Sequence, residues 1–310
     1  MSAAAFPYQQ HQLRFAACAP DDGTQALLVL GLPFDGAVTH RPGARMGPMA
    51  IRQASMMLCD AEHPLFDVSP LPWLADAGDL PLPNASGLSV VRATIEQHLQ
   101  KYRGRHLVCL GGDHSVTLSL LRGLHAVQGP LALVHFDAHC DTWDDHFGEP
   151  SGHGTWVAEA LQEGLLEPSQ VVQIGIRSSG AKAARTYVED QGGAIYTARQ
   201  LRGKDGEGLQ SIVDEIIDRI GDAPVYLSLD IDCLDPAFAP GTGTPEPGGL
   251  SSSQVMTLLE ELAPLQWVGM DCVEVAPAYD HAELTSNAAA HFVWTYLSGR
   301  AARIAEQTRS

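Results

Sequence analysis

Hydrophobic, β-branched-rich runs recur along the chain at residues 26–31, 106–110, 131–136, 171–176, 225–229 and 267–271, and each predicts a strand. Helical patterns separate most of them. Residues 89–103 are amphipathic, 115–126 follow the second run, and 206–220 place Ile212, Ile216, Ile217 and Ile220 on one face. Ser251-Ser252-Ser253-Gln254 has the form of a capping box opening a helix that runs to Leu262. Strand–helix alternation of this kind predicts an α/β fold, with a mostly parallel sheet covered on both faces. The Pro/Gly-rich stretch 236–249 predicts a long irregular loop rather than a domain boundary. No repeat, low-complexity tract or linker interrupts the pattern. The chain therefore reads as a single domain over residues 1–310, with residues 1–24 as an N-terminal extension.

Composition narrows the class. At 45% hydrophobic and 18% charged residues, the 310-residue chain is able to bury a large core. Its net charge of −18 argues against nucleic acid or an anionic membrane surface and is compatible with a cationic substrate. Cys18, Cys59, Cys109, Cys140, Cys233 and Cys272 form no CxxC pair and read as free thiols of a reducing cytosol. The first twenty residues lack the pattern of a signal peptide, which places the expected location in the cytoplasm. Residues 284–299 form a long uncharged run, but it includes Asn287 and His291. It falls short of the ~20 apolar residues of a membrane span and predicts a buried helix.

The candidate chemistry sits where three of the apolar runs end. The motifs are Gly111-Gly112-Asp113-His114-Ser115, then His135-Phe136-Asp137-Ala138-His139-Cys140-Asp141, then Ser228-Leu229-Asp230-Ile231-Asp232. In open parallel sheets, ligands collect at the carboxyl ends of the strands. His114, Asp137, His139, Asp141, Asp230 and Asp232 are all metal-binding types. They are too many for one tetrahedral zinc and suit two divalent ions that activate water. With an extended backbone, the i, i+2, i+4 spacing of Asp137, His139 and Asp141 aims all three one way and turns Cys140 aside. Asp230 and Asp232 repeat the pattern and turn Cys233 aside. A lone acidic pair would be a solvated turn, but clustered carboxylates repel unless a cation neutralises them. Gly111-Gly112 predicts a sharp turn with Asp113 as a cap. His153 in a glycine-flanked loop and Glu274 at a strand end are open between ordinary surface and functional roles on residue chemistry alone.

These blocks resemble the ureohydrolase family of arginases and agmatinases. The resemblance extends through residues 31–52 (Gly31-Leu32-Pro33-Phe34-Asp35 onward), 229–250 and 269–283, and covers about residues 25–300. The wording of Asp235-Pro236-Ala237-Phe238-Ala239-Pro240 and Glu274-Val275-Ala276-Pro277-Ala278-Tyr279 is closer to agmatinases than to arginases. The resemblance implies a three-layer α/β/α sandwich, arginase-like, with two Mn²⁺ per subunit. Ni²⁺ is the alternative metal. One ion is expected on His114, Asp137, Asp141 and Asp230, the other on Asp137, His139, Asp230 and Asp232. Catalytic roles are implied for Asp141 (orienting water and taking its proton), Glu274 (pairing with a guanidinium) and His153 (passing a proton to the departing amine). A homotrimer or homohexamer is also implied.

The expected substrate is a small cationic guanidine compound, with agmatine, giving putrescine and urea, ahead of the others. Asp144, Asp145 and Glu149 would repel an amino-acid carboxylate if they face the pocket. Trp156, a bulky ring after the His153 loop, would shorten the pocket and favour a smaller guanidine. The alternatives are guanidinobutyrase, guanidinopropionase, arginase or a guanidine or alkylguanidine hydrolase. A single-zinc deacetylase is disfavoured by the six-ligand set and Glu274. An inactive partner subunit is disfavoured because no ligand is lost.

Overall fold

A computed structural model of the chain describes residues 13–309 apart from Cys59 and His146. Among these residues nine strands form one sheet. They are β1 (Ala19–Pro20), β2 (Leu27–Gly31), β3 (Leu74–Asp79), β4 (His106–Leu110), β5 (Leu131–Phe136), β6 (Leu166–Ile176), β7 (Ala194–Thr197), β8 (Val225–Asp230) and β9 (Trp267–Val273). Their order is β1-β3-β2-β4-β9-β8-β5-β6-β7, and every pairing is parallel. The helices are α1 (Gly47–Ser55), α2 (Leu88–Leu99), α3 (Thr117–Gln128), α4 (Trp156–Gln162), α5 (Lys182–Asp190), α6 (Ala198–Leu201), α7 (Gly206–Ile220), α8 (Ser252–Glu261) and α9 (Leu284–Arg309).

Consecutive strand residues feed two separate cores, which is what makes the molecule three-layered. Val29, Val108, Val134 and Leu227 pack with Ile51 of α1, Ile212 and Ile216 of α7, Val255 of α8 and Phe292 of α9. Their neighbours Leu28, Cys109 and Leu133 pack with Val91 of α2, Leu118 of α3 and Val157 of α4. Both faces are covered, so the strands carry near-continuous apolar runs. The capping box forms as read: Ser251 Oγ accepts from Gln254 N at 3.2 Å, and Gln254 Oε1 accepts from Ser251 N at 2.9 Å. No helix among the described residues is long and apolar enough to cross a membrane. Cys18, Cys109, Cys140, Cys233 and Cys272 are buried free thiols, whereas Cys59 lies outside the described residues. Within the expected N-terminal extension, residues 1–12 also lie outside them. Phe15, however, is fully buried, and β1 joins the sheet beside β3.

The loop at 236–249 is irregular, as expected, and Arg177 anchors it. The guanidinium donates to the carbonyls of Asp232, Leu234 and Glu246. The chain bends at Gly112 and Asp113, as expected of the Gly111-Gly112 pair. Gly112 does not take a left-handed backbone. Its need is space: a Cβ there would fall 1.7 Å from the Phe34 carbonyl oxygen, to which Asp113 N donates at 2.7 Å. Gly112→Ala is therefore expected to destabilise the fold by at least ~2 kcal/mol, read as a lowered denaturant midpoint. A wild-type midpoint would contradict this packing.

Candidate metal centre and active site

The four central strands β4, β9, β8 and β5 end at one level. Leu110 and Leu229 both pair with Cys272, and Phe136 pairs with Leu229. The chains leaving them carry His114, Glu274, Asp232 and Asp137 onto one edge of the sheet, the carboxyl edge where ligands bind in such folds.

Each ligand candidate is aimed by local structure. Asp113 caps a short 3-10 turn, His114–Val116, by accepting from Ser115 N, so the capping reading and the functional one hold together. His114 is buried, with Nδ1 at 3.1 Å from Asp230 Oδ2, 3.2 Å from Asp137 Oδ2 and 3.2 Å from Asp141 Oδ2. His139 Nδ1 lies 3.0 Å from Asp232 Oδ2 and 3.2 Å from Asp137 Oδ1. Asp137 thus presents one oxygen to each group. Asp230 joins them, because its Oδ1 accepts from Asp232 N at 2.9 Å. All six candidate ligands come together in this way.

The route differs from the expected alternation. Strand β5 stops at Phe136, and Asp141 takes a left-handed backbone with φ +52°. After β8, residues Ile231–Cys233 coil into a 3-10 turn that Asp230 caps. Convergence thus comes from tight turns rather than extended chain. Cys140 packs with Ile176 and Ala184, and Cys233 lies in the main core. Glu274 is also left-handed, with φ +62°. Non-glycine residues rarely adopt this conformation, and such strain collects at functional sites.

Asp141 is pushed up to about 8, first by burial and then by the charge of Asp137. Asp230 lies well above the ordinary carboxylate range, through burial and then the charges of Asp232 and Asp137. Crowded, buried acids of this kind are relieved by a cation. Four carboxylates with two imidazoles, sharing Asp137, fit two divalent ions. Ligand atoms of His114, His135, Asp137 and Asp141 all lie within 4.8 Å of one another, as do those of Asp137, His139 and Asp232.

Residues outside the predicted set orient the ligands. His135 Nε2 contacts Asp137 Oδ2 at 2.8 Å, while Gln173 Nε2 reaches His135 Nδ1 at 3.0 Å. His114 Nε2 contacts Ser228 Oγ at 2.8 Å, and Ser228 donates to Asp271 Oδ1 at 2.7 Å. Thr117 and Tyr226 donate to the other oxygen of Asp271. Such outer partners fix imidazole orientation at metal sites. The signal for His135 and Ser228 lies in the sequence, since each stands two residues before a candidate aspartate.

Glu274 and His153 form a second unit beside the cluster. Glu274 Oε1 accepts from His114 N and contacts His153 Nδ1, both at 2.9 Å. Its Oε2 is buried without a hydrogen-bond partner among the described residues and faces Gly243, whose Cβ would lie 3.5 Å away. His153 Nε2 lies 2.9 Å from Thr39 Oγ1, which can accept from a protonated ring. Burial disfavours a charged His153, but Glu274, then Asp113 and Asp141, outweigh it and push the ring up to about 9.

The cavity above the cluster holds about 360 Å³ and is lined by His139, Asp141, Trp143, Asp145, Phe147 and His153, among others. Three expectations need correction here. Trp156 does not shorten this cavity. It is fully buried beneath the site, with Nε1 donating to Asp141 Oδ2 at 2.7 Å. Asp144 is exposed and is not among the residues lining the cavity. Glu149 lines a different cleft, near Arg92. Asp145 does face the cavity. Trp143, which residue pattern did not single out, forms its aromatic wall. The indole is seated against Gly154 and Gly180, where a Cβ would lie 3.5 and 3.2 Å from it.

Comparison with known proteins agrees with this geometry. The model of the arginase family matches residues 25–298. An agmatinase of Chromobacterium violaceum is 44% identical over 269 residues, 85% of this chain and 80% of that protein. The crystal structure of a hypothetical agmatinase from Burkholderia thailandensis superposes with TM-score 0.86 at 37% identity, covering 94% of this chain and 92% of that one. Proclavaminate amidino hydrolase from Streptomyces clavuligerus superposes equally, with TM-score 0.86 at 36% identity, covering 96% of this chain and 99% of that one. A motif-bearing edge of this kind, matched along nearly the whole chain, places the protein in the arginase family.

Proposed function

We propose that this chain hydrolyses agmatine to putrescine and urea, with two divalent ions held by His114, Asp137, His139, Asp141, Asp230 and Asp232. One observation carries the guanidinium assignment. The buried Oε2 of Glu274 has no hydrogen-bond partner among the described residues and sits beside the ligand cluster. A planar guanidinium is the donor that matches it. The agmatinases that this chain resembles at 41–44% identity favour agmatine over the other guanidine compounds.

Held by these six residues, two divalent ions would lower the pKa of a water from 15.7 to roughly 7 and so supply a nucleophile near neutral pH. Glu274 then accepts from the guanidinium N–H groups and so places the guanidinium carbon beside the ligand cluster. Asp141 accepts the proton of the attacking water, and His153 passes a proton to the departing amine. The C–N bond to that amine breaks, leaving urea and a primary amine. At the cavity mouth, Asp145 and the fixed face of Trp143 suit the distal ammonium of agmatine, through charge and cation–π attraction. The same pair disfavours the carboxylate of arginine.

The oxygen-rich set favours Mn²⁺, with Ni²⁺ as the alternative. Free buried thiols agree with a cytoplasmic location, and we take the chain to be a single domain acting as a homotrimer or homohexamer. Urea release from agmatine, arginine, 4-guanidinobutyrate, 3-guanidinopropionate and guanidine, with Mn²⁺ and then Ni²⁺, tests the reading. Selective turnover of agmatine supports it, and preference for any other compound overturns the substrate assignment. Asp145→Asn is expected to raise the KM for agmatine by up to about fivefold, because this carboxylate is exposed. An unchanged KM would remove Asp145 from the site.

A further inference from the structure

Trp156 opens α4, directly after the His153 loop, and its whole side chain is buried. Packing alone would explain a buried indole, but its polar atom needs a separate account. Trp267 Nε1 and Trp294 Nε1 donate to backbone carbonyls, those of Leu262 and Ala61. Trp156 Nε1 donates instead to a candidate metal ligand, Asp141 Oδ2, at 2.7 Å. The same ring lies against two imidazoles of the site, with centroid distances of 4.8 Å to His114 and 5.1 Å to His135.

The helix that carries Trp156 grips Asp141 a second time. Val157 N and Ala158 N both donate to the Asp141 carbonyl, at 3.1 and 3.4 Å. Asp141 is therefore held by its backbone and by its side chain, in a left-handed conformation that is uncommon among non-glycine residues. Its Oδ2 is also the oxygen 3.2 Å from His114 Nδ1.

We propose that Trp156 is a positioning residue for the reaction, fixing the Asp141 carboxylate so that Oδ2 faces the His114 ligand group and Oδ1 is the oxygen left to meet water in the cavity. The inference rests on the ureohydrolase reading above, with Asp141 as ligand and proton acceptor. It adds a residue outside the six ligands, His153 and Glu274.

Two variants test it. Trp156→Phe keeps an aromatic ring and removes the donor. Site-specific replacement of the indole by its benzothiophene isostere removes the N–H and preserves the shape, so it decides the matter if the Phe variant fails to fold. The readouts are the kcat and KM of urea release from agmatine at saturating Mn²⁺, together with Mn²⁺ retained per chain after dialysis. The expected result for the isostere is a kcat lowered about 10–100-fold with KM nearly unchanged, and weaker Mn²⁺ retention. Wild-type kcat, wild-type Mn²⁺ retention, or a loss expressed only in KM would overturn the proposal and leave the indole as packing. If the unmodified protein releases no urea from agmatine, the substrate reading fails instead, and Mn²⁺ retention still decides the role of Trp156.

Discussion

Asp141→Asn is expected to lower kcat by about 10²–10⁴-fold, the range for losing a positioned general base, with KM for agmatine little changed. The substitution is nearly isosteric. The amide oxygen can still accept from Trp156 Nε1, now 2.7 Å from Oδ2, so the side chain keeps its place. The amide nitrogen then replaces the oxygen turned to the cavity, and it can donate but cannot accept a proton from water. In the proposed mechanism, binding of the guanidinium rests on Glu274, which the change does not touch. Steady-state kinetics with metal content measured in parallel checks this. A variant that lost only substrate affinity would contradict the role given to Asp141.

Glu274→Gln should act on the other parameter. Glu274 Oε1 already accepts from His114 N and contacts His153 Nδ1, and a glutamine oxygen can keep both places. What is lost is the charge and the buried Oε2 acceptor that has no hydrogen-bond partner among the described residues. Removing one partner of a buried charge pair costs about 3–5 kcal/mol. That corresponds to a kcat/KM for agmatine lower by roughly 10²–4 × 10³-fold. The pH profile should move as well. The charge of Glu274 is the largest influence raising His153, which stands at about 9. If protonated His153 serves the departing amine, activity falls as pH rises through that value, and the glutamine variant shifts this alkaline limb to lower pH. An unshifted limb with unchanged kcat/KM would separate Glu274 from both substrate and His153.

Much of this architecture is readable from pattern. Six runs form strands because parallel strands buried on both faces leave an unbroken apolar signature. The three strands that pattern does not reveal lack it. Strand β3 reads Leu-Ala-Asp-Ala-Gly-Asp, poor in strand-favouring types, and its Asp76 is tolerated inside because Arg52 pairs with it at 2.7 Å. Strands β1 and β7 are short edge strands. Helix α5 is hidden by its polar face, since only Ala184 and Val188 are buried. The ligand set is legible because acids and histidines gathered at successive strand ends repel or stay unpaired unless a cation joins them. Extended-chain alternation, by contrast, does not bring them together. A local break such as the one after Phe136 leaves no mark in residue spacing. Side-chain direction is the least legible quantity. Trp156 has the sequence position of a pocket wall and lies beneath the site. Asp144 and Asp145 are adjacent, yet only Asp145 faces the cavity.

The central claim is that agmatine is hydrolysed at this cluster by a pair of ions. Its most direct test is the rate of urea and putrescine formation from agmatine by chelator-stripped protein, titrated with Mn²⁺ while bound metal per chain is counted. The account predicts equimolar urea and putrescine, with the rate reaching its plateau at two ions per chain. No urea with two ions bound, or a full rate with one, would contradict it.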